Sequence, residues 1–290
     1  MQLDNPLIVQ SDRTLLLDVH APLADKCRNE LIPFAELERS PEHLHTYRLT
    51  PLSLWNASSA GFTPQDAVNV LQKYARYDVP QSVSLWIMET AGRFGKLRMI
   101  PGAVVEVKSV KTQDGTAVCE QYLYLVTKER PVYLEIKANP QAKKYLVPCA
   151  YDENAVSVKT ELSSEEKNYC FSLKLTDRGT VKQLLLQSLW PVKDEIQLED
   201  GEPLDFKLRS VTSAGKPFEI REYQNAAAAA LVGNKGPGTG FGTIVLPCGA
   251  GKTIVGMKIM DLLKTSTLII TTNISAVHQW IDELLDKTDL

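Results

Sequence analysis

The run Leu246-Pro247-Cys248-Gly249-Ala250-Gly251-Lys252-Thr253 carries the residue types that a polyphosphate needs. An anion held by main-chain amides requires small residues where a side chain would block its approach, and Gly249 and Gly251 meet that need beside Pro247, Cys248 and Ala250. The amides through Lys252 are expected to surround a β-phosphate, with the positive end of the following helix aimed at the same charge. Lys252 would reach the β- and γ-phosphates as a point charge, and the Thr253 hydroxyl would ligate Mg²⁺, which makes these two the expected catalytic residues. The general pattern G-x-x-x-x-G-K-[ST] asks for glycine where this chain has Leu246, so the match leans on its context of strand before and helix after. A chance glycine turn between two elements is the bland alternative. Cys248 reads as a small packing residue, or as a reactive thiol beside helix amides.

That context is legible. Thr243-Ile244-Val245-Leu246 is a short branched apolar run of the kind buried parallel strands use, and Ile254 to Leu263 follows as a helical pattern. A second strand, Thr267 to Ile270, and a helix through Val277, Trp280, Ile281 and Leu284 complete the opening β-loop-α-β-α of a doubly wound sheet. Upstream, Ile220 to Gln224 opens a helix that runs into Ala226 to Ala230. A glutamine at a helix start can pair both halves of its amide with an adenine edge, so Gln224 is a candidate adenine reader, with Arg221 or Tyr223 packed nearby. An ordinary exposed helix start is the alternative.

The 290 residues suggest two or three domains. From Met1 to about Gly102 the pattern is mostly helical: Thr50-Pro51 and Thr63-Pro64 each offer a capping hydroxyl followed by a proline preset at helical φ, and Gly61 separates them as a left-handed stop. Ala67, Val70, Leu71 and Tyr74 form one buried stripe. From 103 to 204 a small α+β domain is expected, because Val156 to Leu162 and Phe171 to Leu175 alternate apolar and polar. Its helix, capped by Asp177 and stopped by Pro191, places Val181, Leu184, Leu185 and Leu189 on one side, and Lys193 to Pro203 reads as a solvated linker. The third domain, 205–290, is the phosphate-loop part, so the fold class is multidomain α/β.

With 32 basic and 35 acidic residues the chain carries a net charge of −3 and cannot hold nucleic acid by bulk charge. Five widely spaced cysteines spell neither a metal knuckle nor a disulfide framework, which fits a reducing compartment, and with no signal peptide the protein is read as cytoplasmic. His43 and His45 lack partners at ligand spacing, so zinc there is disfavoured. Arg93 to Lys111 carries five basic residues and one acidic one, Glu106, which suits either a phosphate brace or a wet helix edge and hairpin.

The order R-x-Y-Q, LPCGAGKT, TLIITTNISAVHQW resembles the first RecA-like motor domain of superfamily-two helicases, specifically the XPB family of DNA repair helicases. HLHTYRLTPLSLWNASSAG and YDVPQSV resemble that family's helical amino-terminal domain, and by analogy the middle segment corresponds to its damage-recognition domain. The resemblance implies a motor that couples ATP hydrolysis to movement on DNA, tracking 3′ to 5′. It implies adenine contact by Gln224, the nucleotide loop at Gly249, Gly251, Lys252 and Thr253, and DNA backbone contact by Thr272 and Asn273. A hydroxyl, an amide and helix amides at a strand's carboxyl edge can hold a phosphate without reading sequence, though a routine strand-to-helix cap has the same residues. A repair nuclease or a transcription assembly is the implied partner.

Such a motor also needs an acidic strand end holding Mg²⁺ and orienting water, and none follows Trp280. Asp282-Glu283 lies inside an amphipathic pattern and reads as a solvated helix face. The sequence is therefore expected to be the amino-terminal portion of a longer helicase, one that alone turns ATP over slowly or not at all. Two competing readings remain: a DNA- or protein-binding regulatory module with an inert motor remnant, and a phosphate-loop enzyme acting on a small molecule, which leaves TTNISAVHQW unexplained.

Overall fold

The computed structural model describes residues 4–111, 117–156, 160–196, 201–233, 240, 242–247 and 249–290, with the backbone alone for 104–111 and 117–119. The chain divides into two compact units, Met1–Glu195 and Ile196–Leu290. Its described part is mixed α/β with two sheets, one antiparallel and one mixed.

The first sheet pairs β1 (Leu7–Val9), β2 (Thr14–Asp18), β3 (Glu36–Arg39) and β4 (Leu44–Arg48) in the order β1-β2-β4-β3. Between and after these strands run α1 (Ala24–Leu31), α2 (Pro51–Ser59), α3 (Pro64–Tyr74) and α4 (Gln81–Ala91). The first hundred residues are therefore not the helical domain that the sequence suggests. The strands are short and carry apolar residues in runs, as at Leu15 to Leu17, which hides the period of two from a sequence reading. The helix starts do hold: Thr50 accepts from the Ser53 amide and Thr63 from the Asp66 amide, each in a reciprocal capping box followed by proline. Gly61 sits between them at φ +90°. Leu7, Leu15, Leu17, Phe34, Tyr47, Leu54, Leu71 and Ile87 close a core from which water is excluded.

The second sheet, in the order β7-β8-β6-β5-β9, joins β5 (Leu97–Lys111), β6 (Ala117–Thr127), β7 (Val147–Cys149), β8 (Cys170–Lys174) and β9 (Val192–Asp194). Only β9 runs parallel to its neighbour, β5, and it occupies the start of the segment expected to be a linker. One face carries Leu97, Met99, Leu123, Leu125, Phe171 and Leu173, with α5 (Arg130–Ala138) packed on β6 and α7 (Arg178–Gln187) on β9. The other carries Ile100, Tyr124, Val126 and Cys170. A further helix, α6 (Ser164–Asn168), precedes β8. Arg98 is enclosed beside this second face: it forks onto Glu195 with Nε–Oε1 at 3.1 Å and Nη2–Oε2 at 2.7 Å, while Nη1 donates to Glu166 Oε1 at 2.7 Å. The Phe171 and Leu173 alternation is as the sequence reads; positions 157–159 of the other alternating run lie outside the described residues. Leu189 differs from its reading. It lies beyond the end of α7 at φ +61° and is 48% exposed.

The second unit contains α8 (Glu222–Val232), α9 (Lys252–Leu263) and α10 (Ile274–Lys287), close to the three helices read from the sequence. Phe206, Met257 and Met260 form its buried core, with Leu204, Ile254, Ile269, Trp280 and Leu284 against them. The two expected strands are not formed, because a strand exists only through ladder bonds to a neighbour and no described residue supplies one to Thr243–Leu246 or to Thr267–Ile270. Val245, Leu268 and Ile270 are 84–86% exposed as a result. No described helix is long and apolar enough to cross a membrane.

Candidate nucleotide-binding site

The loop before α9 takes the path that its composition suggests. Gly249 has φ +77° and Gly251, the N-cap of α9, has φ +80° and ψ +47°, a left-handed conformation that costs an L side chain about 1–2 kcal/mol. The turn drops the chain into α9 at Lys252, so the amides of Lys252, Thr253 and Ile254, which have no carbonyl four residues back within the helix, open toward the loop. Lys252 is exposed, and its Nζ donates to the Pro247 carbonyl at 3.1 Å, across the mouth of the turn. Thr253 is half-buried one residue further on. Cys248 lies outside the described residues.

Behind the loop stands the start of α8. Gln224 Nε2 donates to the Ala250 carbonyl at 2.9 Å, and the Tyr223 hydroxyl donates to the same oxygen at 2.6 Å. Gln224 Oε1 accepts from the Arg221 amide at 3.0 Å, and the side chain as a whole is buried. Both halves of its amide are thus engaged with main chain, one on the loop and one on its own helix start. Arg221 is exposed, with Nη1 at 3.4 Å from the Tyr223 hydroxyl. The structure brings Arg221, Gln224, Pro247, Gly249, Ala250, Gly251, Lys252 and Thr253 into one neighbourhood. The part of Tyr223 as a second prop of Ala250 is missed by sequence reading, which shows a tyrosine but not the carbonyl it reaches.

Replacing Gln224 by alanine removes the loop prop and leaves the Ala250 carbonyl with one partner fewer. A stability loss of about 1–2 kcal/mol is expected, seen as a lower urea midpoint for the transition reported by Trp280 fluorescence. An unmoved midpoint would show that Tyr223 alone holds the loop.

Thr272 and Asn273 are exposed at the start of α10. Asn273 Oδ1 accepts from the Ala276 amide at 2.8 Å and so acts as an N-cap, while its Nδ2 donates to the Thr272 hydroxyl oxygen at 3.4 Å on the exposed side. Asp282 and Glu283 sit in the middle of α10, where Glu283 pairs with Lys287 at 2.6 Å, as a charged helix face would. On α9, Gly256 makes room for Trp280: a Cβ there would lie 2.6 Å from the indole Cη2.

Other chemistry-bearing residues resolve into structure. His43 Nδ1 lies 2.8 Å from His20 Nε2, and no cluster able to hold a metal occurs among the described residues. Of the basic run, Arg93 pairs with Glu89, Lys96 with Glu129 and Arg98 with Glu166 and Glu195, while the side chains of Lys108 and Lys111 lie outside the described residues.

A family model described as "Helicase conserved C-terminal domain" matches residues 7–150, and one described as "Type III restriction enzyme, res subunit" matches residues 217–289. Both matches, with the glycine-shaped loop, are consistent with the class of superfamily-two helicases. The protein named "DNA 3'-5' helicase XPB" of Mycobacterium tuberculosis is 38% identical over 99% of this chain and 45% of its own length; its namesake in Kineococcus radiotolerans is 37% identical over 99% of this chain and 44% of its own. The Saccharomyces cerevisiae "General transcription and DNA repair factor IIH helicase/translocase subunit XPB/SSL2" is 24% identical over 96% of this chain and 35% of its own length. Within that class, the chain is similar over 99% of its length to proteins named XPB helicase. It spans less than half the length of these relatives.

Proposed function

We propose that this chain supplies the nucleotide-binding loop and accessory domains of an ATP-driven DNA helicase or translocase of the XPB type. The observation that carries the reading is the left-handed Gly251 cap, which aims the first-turn amides of α9 and the exposed Lys252 at a common space while Gln224 and Tyr223 fix the loop from behind. An ATP tail fits the first-turn amides and the Lys252 ammonium, which together offer donors and a positive charge. In this reading Lys252 binds the β- and γ-phosphates, and Thr253 offers its hydroxyl to Mg²⁺, whose bound form neutralises phosphate charge. Adenine lies against Gln224 and Arg221, and Gln224 exchanges a main-chain partner for the base edge.

Thr272 and Asn273 hold a DNA phosphate through their hydroxyl and amide groups on the exposed side of the α10 cap. The second unit corresponds to the opening part of a RecA-like domain, and its uncovered apolar segments at Val245, Leu268 and Ile270 suit strands that pair within a larger parallel sheet. The first unit takes in the amino-terminal domain, 1–102, and most of the damage-recognition-like one, 103–204 in the sequence division, whose last residues, from Ile196 on, belong to the second unit. In this reading the protein works in the cytoplasm, and its partners are repair or transcription proteins, the latter in line with the name of the Saccharomyces cerevisiae relative.

The test is binding of a fluorescent ATP analogue to the full chain. Lys252→Ala is expected to weaken it on the order of tenfold with the melting temperature unchanged, since one charge-assisted contact is lost from an exposed side chain. Equal affinity in that variant would defeat the nucleotide assignment and leave the DNA- or protein-binding module as the better reading.

A further inference from the structure

Outside the phosphate loop, the first unit contains a cavity of about 150 Å³ between the β1–β2 turn, α2, α4 and the end of α7, lined by Arg13, Trp55, Trp86, Glu89, Arg93 and Leu189 among others. Two features set it apart. The described chain has three non-glycine residues at positive φ, and two of them, Arg13 at +72° and Leu189 at +61°, line this one cavity. Arg13 ends a tight hairpin turn and Leu189 follows a helix end, both places where glycine or asparagine relieves the strain at no cost. Long side chains kept at such positions are characteristic of ligand clamps.

The second feature is the chemistry presented. The Arg13 guanidinium lies over the Trp86 ring at 4.7 Å from its centroid, and it makes no hydrogen bond or ion pair among the described residues. One flat face of this cation is covered by indole; its edge donors remain available. Arg93 closes the far side, held by Glu89 at 3.1 Å and the Leu189 carbonyl at 3.3 Å, so Glu89 is already engaged and the uncompensated charge is that of Arg13. Trp55 contributes an apolar wall, its own N–H satisfied by the Thr90 carbonyl at 2.7 Å.

We infer that this cavity binds one nucleotide, the base stacked against the Arg13–Trp86 pair and the phosphate held by the Arg13 edge. A planar ring matches the stacked guanidinium and indole, an anion matches the unpaired charge, and the volume suits a single ring system. The nucleotide can belong to a single DNA strand or be free; only the first source rests on the function proposed above. An acidic peptide would use the charge but leave the aromatic stack unused.

The full chain is titrated with a fluorescein-labelled oligothymidylate, followed by anisotropy, and separately with thymidine 5′-monophosphate, followed by tryptophan quenching. Arg13→Gly removes the guanidinium and relieves the strained turn, so the variant is expected to melt no lower than the parent while losing about tenfold in affinity, the size of one base-stacking contact. Arg13→Lys restores charge without a flat face and is expected to recover only part of the loss. Tight oligonucleotide binding with a weak mononucleotide identifies a strand as the source; equal binding identifies a free nucleotide. Affinity for both ligands unchanged in Arg13→Gly, binding of neither, or competition by polyglutamate alone would overturn the inference. Oligonucleotide binding that ignores Arg13 would sink this cavity while leaving the DNA reading intact. Mononucleotide binding that needs Arg13 in a chain that ignores oligonucleotides would do the reverse.

Discussion

Gly251→Ala is expected to lower affinity for an ATP analogue on the order of a hundredfold. Two costs combine. The backbone at φ +80° disfavours an L side chain by about 1–2 kcal/mol. The added methyl would also stand 2.5 Å from Gln224 Nε2 and 3.3 Å from Ile254 Cγ1. Gln224 has little freedom to retreat, since it is buried and tied both to the Ala250 carbonyl and to the Arg221 amide, so moving it forfeits a hydrogen bond of about 1 kcal/mol. Together these bring the loss to about 2–3 kcal/mol, which falls on the loop conformation that presents the α9 amides. Nucleotide titration of the full chain checks the effect, and a thermal scan shows whether the unit stays folded. Undiminished affinity would mean that the left-handed cap is dispensable.

Arg98→Ala is expected to destabilise the first unit by about 3–5 kcal/mol, because it leaves the buried Glu166 with the Ser163 amide but no paired cation and Glu195 with Lys193 alone. Glu166 has only 2% of its side chain exposed and Glu195 19%, and both direct oxygens at the one guanidinium. Burial pushes the Glu166 carboxyl up, but the Ser163 amide and Arg98 outweigh it, so the net position is below the ordinary 4.5. For Glu195, burial is likewise outweighed by Arg98 and Lys193. Carboxylates with folded values below their unfolded ones contribute stability that is complete above the unfolded value and lost as pH falls through the folded one. The parent chain should therefore lose stability on acidification below about pH 4.5, while Arg98→Ala should show a flattened or reversed slope there. Urea unfolding at neutral and acid pH measures both, and a neutral-pH loss under about 1 kcal/mol would show that water reaches these carboxylates.

What the sequence makes legible follows from how local each cause is. The caps at Thr50, Thr63 and Asn273 and the proline-led starts depend on residues within a turn of one another, and they stand where expected. So do the left-handed turns at Gly249 and Gly251, since glycine alone takes such φ without strain. Asp177, by contrast, makes no capping bond, and Leu189 falls outside its stripe. Sheets are less legible. The first sheet needs β2 to meet β4 and the second needs β5 to meet β9, partners far along the chain, and the apolar segments at Thr243–Leu246 and Thr267–Ile270 read as strands although no described neighbour pairs with them. The site follows the same division. Lys252, Thr253 and Gly251 announce themselves by spacing, whereas the grip of Tyr223 and Gln224 on Ala250 is a meeting of two elements separated by more than twenty residues, which no local pattern encodes.

The absent side chain at Gly256 gives α9 a notch, and the indole of Trp280 is seated in it. Two helices keyed in this way resist sliding, for close-packed groups move past each other only by breaking contact. A methyl at 256 would meet the indole before the helices reached their present spacing, so any larger residue there holds α9 and α10 apart and loosens the Phe206, Met257 and Met260 core against which Trp280 packs.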